Sequence, residues 1–170
     1  KAGPALPKVL SIGDSISNGY MRNLPELLAG KAEVLHNPGN ALHTRNGVAK
    51  IDEWLGTEDW AVIHFNFGLH DMKYVDAEGK NSSSEETGHI QVRLAEYKEN
   101  LRKIVKRLKE TDAKLIFATT TPFPPDVEGP LRKVADLEAY NAAAREIMAE
   151  EGITLNELDK AAAPHLAEWQ

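Results

Sequence analysis

Cysteine is absent from this chain, and with it go disulfides, thiolate nucleophiles and cysteine-based zinc sites. No apolar run approaches the roughly 20 residues that span a bilayer, and no basic-then-apolar leader opens the sequence. A cationic surplus is also missing: 20 Lys and Arg stand against 26 Asp and Glu, a formal charge of −6. Proteins that work on a phosphate backbone carry a basic face, so nucleic acid is not an expected partner. What is present, 42% hydrophobic and 27% charged residues in 170, suits one soluble domain with a sizeable core. A start at Lys1 rather than Met fits either a removed signal peptide or a trimmed chain. The expectation is a secreted or periplasmic location, with a cytoplasmic one as the alternative.

Short apolar runs alternate with amphipathic segments along the whole length, the pattern of a parallel sheet covered by helices. The runs lie at residues 9–12, 32–36, 61–67, 114–119 and 153–155. The first intervening helix, near residues 23–29, carries Leu24, Leu27 and Leu28 on one face and ends at Gly30. A second has Thr44 as its expected N-cap and Val48, Ile51, Trp54 and Leu55 as its buried stripe. Tyr97, Leu101, Ile104, Val105 and Leu108 mark a third, and Leu137, Tyr140, Ala144, Ile147 and Met148 a fourth that stops at Gly152. The stretch 70–92, rich in Gly, Ser, Asp and Glu, reads as a long loop too polar for the core. A final helical segment, residues 157–169, is interrupted by Pro164.

In an open parallel sheet, ligands bind where loops converge at the C-terminal strand ends. The first such loop reads Gly13-Asp14-Ser15-Ile16-Ser17, which sets a Ser at a sharp strand-to-helix turn. Backbone N–H groups there can stabilise the negative charge of a tetrahedral acyl-transfer intermediate. Turn chemistry alone also favours Gly, Asp and Ser, so position does not decide between the readings. The second loop holds Gly39-Asn40 and the third Gly68-Leu69-His70-Asp71, which delivers Ser, Gly and His to one edge.

With these residues in place the sequence resembles the SGNH hydrolases, also called GDSL esterases and lipases. The resemblance spans nearly the whole chain and rests on three blocks, at residues 13–17, 39–40 and 68–71. It implies a three-layer α/β/α domain with a parallel five-stranded sheet in the flavodoxin-like order 2-1-3-4-5. It also implies hydrolysis of small acyl esters, such as acetyl groups on carbohydrates, through a Ser15 acyl-enzyme. The Ser15 N–H, the Gly39 N–H and His70 are the implied oxyanion hole, with Asp14 and Asp71 in support. His70 stands where the family usually has Asn; a neutral imidazole still donates one N–H. The run from His64 to Asp71 looks like a subgroup that uses His at this place. No metal or organic cofactor is implied.

The family's base, a His two or three residues after an Asp near the C-terminus, has no match, since neither Asp-x-His nor Asp-x-x-His occurs. Asp159 and His165 are six positions apart, about 120° around a helix, and make a poor dyad. His165 falls on the stripe Leu158, Ala162, Leu166, Trp169, which suits a structural role. The expectation is a single domain over residues 1–170, with Asp and His supplied by a missing C-terminal segment or a second chain. His165, His43 and His89 are the internal alternatives. A catalytically inactive relative that binds an acyl or sugar ligand is the rival reading, and a phosphate binder on the 13–17 turn the third. The basic run from Lys98 to Lys109 is interleaved with Glu and reads as a solvated helix face, and the acids of residues 76–86 fit no calcium loop.

Overall fold

The computed structural model describes residues 5–124 and 127–168, and Trp169 of the expected C-terminal stripe lies outside them. Five strands form one parallel sheet: β1 (Lys8–Ile12), β2 (Glu33–His36), β3 (Trp60–Phe65), β6 (Lys114–Ala118) and β7 (Thr154–Asn156). Their spatial order is β2-β1-β3-β6-β7, the order 2-1-3-4-5 that the family resemblance implies. A short antiparallel pair, β4 (Tyr74–Val75) with β5 (His89–Ile90), stands apart.

One sheet face presents Leu10, Ile12, Ile63, Phe65, Leu115 and Phe117, all buried. Against it pack α3 (Thr44–Leu55), α4 (Leu94–Leu108) and α5 (Val134–Glu151), through the predicted stripes of α4 and α5 in full. Gly152 ends α5 in the left-handed conformation that stops helices. The opposite face carries α1 (Ser15–Tyr20), whose Tyr20 meets His64 of β3 edge-on at 6.1 Å. Short segments α2 (Leu24–Leu27) and α6 (Leu158–Ala162) complete the helices, and a 3₁₀ turn covers Ala163–His165 after Pro164.

Local readings needed correction in four places. Helix α2 is a single turn, and Leu27, expected on a buried face, is 71% exposed. Thr44 is the first residue of α3 rather than its cap; His43 is the cap, its Nδ1 accepting from the Asn46 N–H at 3.3 Å. Val48 is exposed, its place in the stripe taken by Thr44 and Gly47. The stretch 70–92 is not wholly outside the core, because Met72, Tyr74, Val75 and Val92 are buried. Its ends are pinned by Gln91 N–H to Lys73 O at 2.9 Å and Val92 N–H to Asp71 O at 2.9 Å. The hairpin then locks onto the loop between β6 and α5, with Tyr74 N–H donating to Leu131 O and Leu131 N–H to Ser82 O.

Gly68 leaves β3 with φ +155° and lies against Thr120. A Cβ there would overlap Thr120 Oγ1, itself within 3.2 Å of Asn66 Nδ2. Gly68→Ala is therefore expected to lower the unfolding free energy by about 2–4 kcal/mol, read as a drop in urea midpoint. An unchanged midpoint would refute the close approach.

Candidate active site

Three strand ends are laced together by side chains of the loops that follow them. Asn37, buried just after β2, accepts the Gly13 N–H on Oδ1 at 2.9 Å. Asn18 of α1 donates to Gly39 O at 3.2 Å, and the Ala41 N–H to Gly13 O at 3.0 Å. Asn66, after β3, donates to Ala118 O at 2.7 Å and so ties in β6. Ser15, Gly39 and His70 thus lie on loops of one edge, with His70 Nε2 4.0 Å from Asp14 Oδ2.

Asp14 is the N-cap of α1; its Oδ1 accepts the Ile16 N–H at 2.9 Å. Burial pushes its carboxyl up, against the pull of that N–H and of Arg132. Ser15, next along, is exposed at the first helical position, where an N–H has no intrahelical acceptor. Its hydroxyl makes no hydrogen bond among the described residues. Gly39 has φ +64°, a conformation that glycine adopts without strain, and its N–H donates to no described residue. Beside them lies a cavity of about 10 Å³ bordered by Asp14, Ser17, Tyr20, Asn66 and Thr120, of a size for one water.

His70 is half-buried, and burial, then Lys73, Arg132 and His43, bring its pKa down to about 4. It is therefore neutral at ordinary pH, with one N–H to give. Nδ1 is buried without a partner, and Nε2 is the nitrogen with an acid at hand. Asp71 does not reach the Ser15 side. Its Oδ1 takes both the N–H and the hydroxyl of Thr44, at 2.9 and 2.5 Å, which docks the start of α3 on the third loop. Its Oδ2 is buried without a partner, and burial pushes the carboxyl up to about 7 despite Thr44.

All six histidines lie among the described residues, and none hydrogen-bonds Ser15. His165 faces Glu168 at 3.1 Å, while Asp159 pairs with Arg145 and accepts from Thr119 at 2.7 Å. The two do not form a dyad. His43 spends Nδ1 as an acceptor in the α3 cap, which places its proton on Nε2 and leaves no lone pair for a base. His89 sits exposed on the β4–β5 hairpin, and His64 Nε2 lies 3.1 Å from Asn156 Nδ2.

Sequence reasoning missed His36 and Ser17. Ser17 Oγ lies 2.6 Å from His36 Nε2 and donates to Asp14 O at 2.7 Å, while His36 Nδ1 sits 2.7 Å from Asn37 O. Ser17 is buried, so this pair braces the turn that carries Ser15 from behind. Nothing in the hydrophobic pattern marks either residue; the only cue was a His beside the Asn-Pro-Gly-Asn loop. Among the described residues no cluster of three or more His, Asp or Glu could hold a metal ion, and no helix is long and apolar enough to cross a membrane.

A family model described as "GDSL-like Lipase/Acylhydrolase family" matches residues 11–170. No curated protein matches. Among solved structures, a lipase/acylhydrolase from Enterococcus faecalis superposes with TM-score 0.74 at 17% identity, covering 96% of this chain and 83% of that one. Axe2, an acetylxylan esterase from Geobacillus stearothermophilus, gives 0.74 at 19% identity over 95% of this chain and 80% of its own. The acetyl xylan esterase AlAXEase gives 0.71 at 16% identity, covering 94% and 80%.

Proposed function

The chain belongs to the GDSL-like lipase/acylhydrolase family, and on that premise we propose that it is a serine esterase acting on small acyl esters, acetyl groups on carbohydrates among them. Membership and the esterase neighbours support ester hydrolysis in general; the acetylxylan esterases among them motivate the carbohydrate ester. The observation that carries the mechanism is the lacing of the Ser15, Gly39 and His70 loops to one edge, with the Ser15 hydroxyl exposed and unbonded among the described residues.

In this mechanism Ser15 Oγ bonds the acyl carbon while its proton passes to a base. The Ser15 N–H, the Gly39 N–H and the His70 N–H receive the oxyanion. Collapse expels the alcohol, which takes the proton back, and water repeats the cycle to release the acid. Because no histidine of this chain bonds Ser15, the base is assigned to an Asp–His pair on a C-terminal segment or a second chain. The same observation favours one rival, a non-catalytic protein that binds an acyl or sugar ligand.

A fluorophosphonate probe with peptide mapping separates the two. Stoichiometric adduct on Ser15 is the expected result. Adduct on another residue overturns the assignment, and no adduct even with the base-bearing segment present favours the binding protein.

A further inference from the structure

We propose that the substrate carries a carboxylate, received by Arg132 with Lys73 beside it. The proposal deepens the esterase reading and rests on it for the identity of the site. Four of the described arginines, and most of the cations that are not fully exposed, sit in ion pairs. Among the described lysines and arginines with no carboxylate within 4.0 Å, Lys73 and Arg132 alone are not exposed. Both flank the loop that carries His70.

Arg132 Nε donates to Leu69 O at 2.9 Å, which fixes the guanidinium next to His70. No described residue takes its remaining N–H donors. Lys73 Nζ donates to Asn81 Oδ1 at 2.9 Å and so stays on the same side. The described acids around them are already engaged or distant. Asp14 attracts Arg132 from beyond 4 Å, Asp71 is bound to Thr44, Glu96 is paired with Arg45, and Glu128, on the rim of a neighbouring groove, is exposed and more than 4.0 Å from either cation. That groove, about 510 Å³, is bordered by Arg132, Leu131, Phe123 and Pro124 and has room for a sugar ring.

A half-buried cation with no carboxylate in contact loses solvation that one hydrogen bond to a neutral oxygen returns only in part. On a chain of net charge −6, two such cations beside one loop make a local field of the opposite sign, which draws anions. A guanidinium whose two terminal NH2 groups meet no described acceptor matches a carboxylate in fork geometry, which a neutral ester cannot exploit. The depression of His70 by Lys73 and Arg132 places both charges within electrostatic reach of the oxyanion side.

The carboxylate has two chemical sources: the alcohol, as in an esterified uronic acid, or the acyl group, as in a half-ester of a dicarboxylic acid. Calorimetric titration of the Ser15→Ala chain with D-glucuronate, succinate and D-glucose distinguishes them and needs no turnover. Saturable binding of one acid, weakened at least tenfold by Arg132→Met and less by Arg132→Lys, is expected, with glucose silent. Glucuronate binding assigns the charge to the alcohol and succinate binding to the acyl side. Lys73→Met, on a separate segment, should weaken the same acid and guards against a folding defect in Arg132→Met. Equal binding of glucose and glucuronate, or affinities indifferent to both substitutions, overturns the proposal. Failure of Ser15 to react with a phosphonate even with the base-bearing segment present would overturn the esterase reading while leaving this titration intact.

Discussion

Ser15→Ala is expected to bring p-nitrophenyl acetate hydrolysis by this chain down to the rate of buffer and scattered surface groups. Side-chain nucleophiles elsewhere are poor candidates: Ser17 is buried behind the turn, Ser11 is buried in β1, and no cysteine exists. With a base present the loss should be about 10⁴-fold or more in kcat, since nucleophile and base act as a unit. In the 170-residue chain alone, where no histidine bonds Ser15, preorganised N–H donors can still supply on the order of 10²-fold, and that is the excess Ser15→Ala should remove. Initial rates of parent and variant at several pH values check this. Parallel rates after addition of the proposed base-bearing segment would exclude Ser15 as the nucleophile. His70 should leave no inflection between pH 5 and 8, because its proton is lost near 4.

A second large effect hides in the parent chain and should appear when either of two neighbours is replaced. Asp71 is raised from 3.8 to about 7 on folding, and His70, its side chain 15% exposed, is lowered from 6.5 to about 4. For Asp71 the folded state binds the proton more tightly, so its contribution is most favourable below pH 3.8 and declines as pH rises through about 7. For His70 the folded state releases the proton, so its contribution is most favourable above 6.5 and declines as pH falls through about 4. Between about 4 and 6.5 the two slopes oppose and cancel.

Asp71→Asn keeps an acceptor for Thr44 and leaves His70 uncompensated. Relative to the parent, its unfolding free energy should climb from pH 4 to 6.5 by about 3 kcal/mol, the interval in pH at 1.36 kcal/mol per unit. His70→Gln should do the reverse, falling relative to the parent from pH 4 to 6.5 by about 3 kcal/mol. Urea titrations at pH 4, 5.5 and 7 read both slopes. Variants that track the parent at every pH would refute the assigned protons.

The strands and helices of the sheet were legible because each strand is a short apolar run and α4 and α5 carry clean stripes, while the strand order came from the family resemblance; Tyr97, Leu101, Ile104, Val105 and Leu108 are all buried as spaced. Failures came where a distant group decides. Thr44 has the chemistry of a cap, but Asp71, 27 residues on, claims its N–H and hydroxyl, and the cap moves back to His43. The β4–β5 hairpin escaped because strands of two residues leave no periodicity, although Met72, Tyr74 and Val75 are apolar and buried inside a polar stretch. At the site, the turn residues Ser15 and Gly39 were visible as local chemistry. The bracing by Asn37, Asn18 and His36, and the place of Arg132 beside Leu69, are tertiary facts with no local signature.

The backbone bonds between Tyr74, Ser82 and Leu131 bear on how such a protein can diverge. They splice two surface loops, far apart in the chain, into one piece that ends in Arg132. An insertion in either loop alone would pull Leu131 out of register with Ser82 and swing Arg132 off Leu69. Lengths of the two loops should therefore change together among homologues, and a graft that alters specificity would have to carry both.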